Sequence, residues 1–119
     1  MELRIDIQAD EPPEVVDELT TRLRRQLLEL EVDRVERPVG EGPAGSRGPM
    51  MDIGTLLVQL AQTGVALTSV VGAVRGWLSA RDKATVKLEI DGDSIELPGG
   101  DLSSAQQRVV DAWVKRHES

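Results

Sequence analysis

Glu89, Asp91, Asp93 and Asp101 crowd the stretch around EIDGDSIEL, and clustered carboxylates are the first residues here to weigh for chemistry. Close carboxylates bind divalent cations or divide acid and base work between them. A calcium loop, however, needs a longer D-x-[DN]-x-[DN]-G frame ending in Glu, and EIDGDSIEL lacks it. Turn chemistry accounts for Asp91-Gly92 and helix capping for Asp101. The glycine-rich run GEGPAGSRG carries Arg47, which suits an anion. Its spacing is neither G-x-x-x-x-G-K-[ST] nor G-x-G-x-x-G, so it reads as a solvated loop. The single histidine, His117, follows Lys115 and Arg116 and reads as a dipole partner on a fraying helix end. There is no cysteine, which excludes disulfides, thiolate metal sites and cysteine nucleophiles. With no nucleophile–base pair and no metal-ligand set, the sequence predicts neither an enzyme nor a cofactor.

The whole composition points the same way. A chain of 119 residues is one domain by length, spanning 1–119 with a flexible loop at about 40–49. Net charge is −7, so a phosphate backbone is not the expected partner. Phe and Tyr are absent and Trp occurs twice, which removes the base-stacking platforms of single-strand binders. The densest basic group, Arg22, Arg24 and Arg25, fits a solvated helix face. The opening MELRIDIQAD has no apolar signal core, and the cytoplasm is the expected compartment.

The elements that must position these residues follow from periodicity. Leu3, Ile5 and Ile7 alternate with polar residues, which predicts a half-buried strand. Val15, Val16, Leu19, Leu23, Leu27 and Leu30 recur at helical spacing after Pro12-Pro13, predicting a helix from about 13 to 30. Val32, Val35 and Val39 form a second strand that Pro38 places at an edge. Residues 50–80 read as helical and apolar, with a break possible near 61–64. Thr85–Ile90 and Ser94–Leu97 alternate around Asp91-Gly92, a hairpin signal. Ser103 with Gln106, or Ser104 with Gln107, makes a capping box for a last helix on Val109, Val110, Trp113 and Val114. The predicted order is β-α-β-α-β-β-α. The predicted fold is an α+β two-layer sandwich with helices on one face of a four-stranded sheet. The other face, with Glu2, Arg4, Asp6, Lys87 and Glu89, looks to solvent.

Ile53 to Val74 runs without a charge and is long enough to span a bilayer. The strands before and after it pattern as one sheet, which a membrane between them would split into marginal pairs. No membrane span is therefore expected. On a helical wheel, Ala66, Leu67, Val70, Val71, Val74, Trp77 and Leu78 share one half. Gly64, Thr68, Gly72, Arg75 and Gly76 fall on the other, a row of small side chains beside one cation. Glycine weakens a helix, so the row predicts a close neighbour. Two neighbours fit: another helix of the same domain, or a partner chain, including a second copy. In the second case these five residues are the candidate interaction surface.

Three stretches, MDIGTLLVQLAQTGVALTSVVGAVRGWLSAR at 51–81, DGDSIELPG at 91–99 and LSSAQQRVVDAWVKRH at 102–117, resemble the effector-associated constant component family of bacterial multi-gene conflict systems. The resemblance implies a non-enzymatic component encoded beside variable effectors, among them caspase-like and trypsin-like peptidases, often with NTPase regulators. It implies an adaptor or regulator acting by protein–protein contact, and carries over no catalytic residues. A module that senses a small ligand, or inhibits a partner, is the alternative for the same architecture.

Overall fold

A computed structural model of the chain describes residues 2–30, 32, 34–37, 54–60 and 64–117. Among the described residues are five strands and three helices: β1 (Glu2–Ala9), α1 (Pro13–Leu28), β2 (Arg34–Glu36), β3 (Thr55–Gln59), α2 (Gly64–Ser79), β4 (Ala84–Ile90), β5 (Asp93–Pro98) and α3 (Ser104–His117). The α+β class is as expected, but the sheet has five strands in the order β2-β3-β1-β4-β5. The chain order is β-α-β-β-α-β-β-α, not the predicted β-α-β-α-β-β-α.

The extra strand is β3, TLLVQ, which the apolar run had assigned to one long helix. A short apolar run is ambiguous between a strand and a buried helix. Here Leu56 and Val58 face the core, and Thr55 on the opposite face is also buried. Leu57, half-buried beside it, removes the alternation that would have marked a strand. Pairing explains why β3 exists: it lies between β2 and β1, with Val58 opposite both Val35 and Leu3. Of the break expected near 61–64, residues 61–63 lie outside the described residues and Gly64 begins α2; the loop at 40–49 also lies outside them.

Every neighbouring pair in the sheet is antiparallel. β3 and β4 flank β1, so they run the same way. Two strands that run the same way need a crossover, and α2 is that crossover. By the same count β2 runs parallel to β1, and α1 connects them over β3. Both helices therefore return across the sheet and cover its core face. Leu3, Ile5, Leu56, Val86, Leu88 and Leu97 meet Leu23, Leu27, Leu67, Val70, Val74 and Trp113, all fully buried. Fully burying each Leu or Val is worth roughly 1.5–3 kcal/mol.

Local chemistry sets the ends. Pro13 starts α1 as its first residue, where a missing N–H costs nothing. Asp91 (φ 51°) and Gly92 (φ 85°) make the two-residue hairpin turn, with both central residues left-handed. Ser103 and Gln106 exchange backbone–side-chain hydrogen bonds at 2.9 and 3.1 Å, the predicted capping box of α3. The Leu78 carbonyl at the end of α2 accepts from the Arg81 N–H at 2.9 Å and from the Gly100 N–H at 3.0 Å, so the chain after β5 is tied to the helix end. Of the arginines read as solvated, Arg24 is half-buried and donates from Nε to the Val35 carbonyl at 3.1 Å, tying α1 to β2.

Candidate interaction surface

Among the described residues α2 buries one half of its circumference, as the wheel predicts: Leu67, Val70, Val71, Val74, Trp77 and Leu78 are at most 5 % exposed. Ala66 lies outside the residues whose side chains are described. On the other half, Thr68, Gly72 and Gly76 are exposed and Arg75 is half-buried. Gly64 is the first residue of α2, and its surroundings lie outside the description. A Cβ added at Gly72 or Gly76 would meet nothing within 4 Å. Among the described residues no neighbour stands close to either position. Neither α1 nor α3 packs tightly on these two glycines.

Thr68, Val71, Gly72 and Arg75 instead form one wall of an open groove of about 560 Å³ between α2 and α3. Arg108, Asp111, Ala112 and Lys115 line the α3 side. Sequence reading missed this second wall. Its signal was present: residues 108, 111, 112 and 115 recur at helical spacing, on the side of α3 away from Val110 and Trp113. Arg75 approaches Asp111 only at 3.8 Å.

The acidic hairpin has a different use from the one its sequence suggested. Asp91 serves the turn, but Asp93 anchors the end of α3. Arg116 donates to both Asp93 carboxylate oxygens, at 3.0–3.2 Å. His117 Nε2 lies 2.6 Å from Oδ2 of Asp93. An ionised carboxylate only accepts, so that nitrogen carries the proton. Trp113 Nε1 donates to the Asp93 backbone carbonyl at 3.2 Å, and the His117 ring tilts against the indole at 4.8 Å. The His117 hydrogen bond, with help from Arg116, holds the Asp93 carboxyl below its usual value, against partial desolvation. His117 is therefore docked rather than fraying. A histidine–carboxylate pair has the form of an acid–base dyad. Here the carboxylate is also clamped by Arg116, and among the described residues no hydroxyl is hydrogen-bonded to His117.

A further concavity of about 450 Å³ runs along Arg4, Asp6, Gln8 and Gly54. Of its two lining carboxylates, Asp6 and Glu11, Asp6 is already engaged: it pairs with Arg4 at 3.2 Å and accepts from Thr55 Oγ1 at 2.7 Å. Among the described residues no three His, Asp or Glu side chains gather as metal ligands, and no helix is long and apolar enough to cross a membrane.

Residues 8–117 match the model of the family described as Effector Associated Constant Component 1. The chain belongs to that family. The match takes in both walls of the groove and the Asp93 anchor. Searches of curated proteins and of solved structures returned no match.

Proposed function

We propose that this family member is a non-enzymatic adaptor or regulatory component of a bacterial conflict system. It couples a sensor or NTPase regulator to a toxic effector, such as a caspase-like or trypsin-like peptidase, through protein–protein contacts in the cytoplasm. The observation that carries this reading is membership, over residues 8–117, of a family whose description is effector-associated. The α2–α3 groove supports it as the contact surface: Gly72 lines it and weakens α2, yet among the described residues nothing uses the space that Gly72 leaves. The alternative, a ligand-sensing module with a pocket between α2 and the sheet, finds less support. Leu67, Val70, Val74, Val86 and Leu88 are each 0 % exposed in that layer.

The test is a mass measurement by light scattering on the purified chain, alone and mixed with the effector encoded beside it. A complex that forms with the wild type and is lost in Gly72→Leu, with the variant still folded, is the expected result. A chain that stays monomeric and binds no neighbouring gene product would overturn the adaptor reading.

A further inference from the structure

The α2–α3 groove is cationic on a chain whose net charge is −7. Arg75, Arg108 and Lys115 surround it, against the single carboxylate of Asp111. Arg75 pairs with Asp111 across the groove at 3.8 Å, as Arg4, Arg22, Arg34, Arg37 and Arg116 pair with carboxylates elsewhere, whereas Arg25, Lys83 and Lys87, like two of the groove cations, have no ion pair among the described residues. Arg108 and Lys115 are exposed and have no ion-pair partner among the described residues. Between the cations the lining is small and apolar, with Val71, Ala112 and Val114 beside the bare backbone of Gly72. A trough between two helices with an apolar lining is the shape into which a third helix packs. Missing side-chain bulk at Gly72 lets that helix come close, and the charged rim selects its sign.

We propose that the groove binds an acidic amphipathic helix of the partner protein. Alanine and leucine side chains of that helix sit over Gly72, and its carboxylates face Arg75, Arg108 and Lys115. This rests on the adaptor reading for its biological partner, but not for its chemistry. The rim attracts the acidic helix over a Debye length, and the apolar lining excludes water once it is seated. A basic helix of the same apolar content is repelled.

The probe is a labelled helical peptide of Glu, Ala and Leu, titrated into the isotopically labelled full chain and followed by amide NMR shifts and by anisotropy. The control replaces each Glu by Lys. The expected result is saturable binding of the acidic peptide, with shifts centred on Gly72, Arg75, Ala112 and Lys115 and weakened by added salt. The double variant Arg108→Glu with Lys115→Glu changes two exposed residues and leaves the fold intact. It weakens the acidic peptide about tenfold or more and admits the basic one. Equal binding of both peptides, shifts elsewhere on the molecule, or no saturable binding would overturn the proposal. So would groove shifts that follow dilution of the chain alone, which would make the occupant a second copy. The two readings also separate. If the acidic peptide seats but the neighbouring effector does not bind, the adaptor reading fails and the groove chemistry stands. If the effector binds and the double variant binds it equally well, the groove assignment fails and the adaptor reading stands.

Discussion

At Asp93, one carboxylate accepts from Arg116 and His117 while the backbone carbonyl accepts from Trp113. The carboxyl is lowered from its ordinary value of 3.8, first by the His117 hydrogen bond and then by Arg116. A lowered carboxylate contributes stability that is complete above the ordinary value and is lost as pH falls through the folded one. Urea unfolding followed by tryptophan fluorescence should therefore show Asp93→Asn less stable than the wild type at neutral pH. The gap should close below about pH 3.8. Parallel loss in both proteins would contradict the anchor. Gly99 poses a different constraint: a Cβ there would lie 2.0 Å from the Arg81 carbonyl oxygen and 2.6 Å from that of Ala84. Backbone atoms cannot step aside as a flexible side chain can. Gly99→Ala should lower stability by about 1–3 kcal/mol, the usual range for overpacking, measured by urea unfolding. The sequence marked Pro98-Gly99-Gly100 as a stop, but nothing in it said that the stop seats against the end of α2. That contact joins residues distant along the chain.

Helices α2 and α3 show how far periodicity reaches. The wheel placed Leu67, Val70, Val71, Val74, Trp77 and Leu78 on the buried half of α2, and they are buried. The capping box at Ser103 and Gln106 formed as read, because it needs only residues three apart. The same wheel placed Gly72 and Gly76 on a second face but could not say what stood opposite. Among the described residues nothing stands within 4 Å of a Cβ at either position. An exposed glycine inside a helix costs roughly 0.5–1 kcal/mol relative to alanine. Gly72→Ala and Gly76→Ala should each raise stability by that increment, read as a higher thermal midpoint, with no repacking elsewhere. A loss of stability in either variant would mean that the chain itself uses the space. The segment TLLVQ was the failure at this scale. Leu57 on the outer face hid the alternation, and only pairing with β1 and β2 distinguishes a strand there from the first turns of a helix.

Across the whole molecule, β1 at the centre of the sheet organises the rest. Its neighbours β3 and β4 run the same way, so the chain between them must cross over, and the helices gather on one face. The opposite face is a lattice of charges in register: Arg4 lies opposite Glu89, Asp6 opposite Lys87, and Lys87 opposite Glu96. Alternation in the strands had marked that face as solvent-facing, and opposite charges placed across strands add modest support. The sequence by itself determined the α+β class, β1, α1, the β4–β5 hairpin, the buried stripe of α2 and the capped start of α3. Each depends on residues within a turn or two of one another, where spacing and φ preference decide. Tertiary structure alone decided that a fifth strand enters between β1 and β2, that His117 docks on Asp93, and that Arg108 and Lys115 join Gly72 and Arg75 around one groove. Those outcomes depend on which elements become neighbours. Chain crossover and core burial choose those neighbours, and neither is written in local spacing.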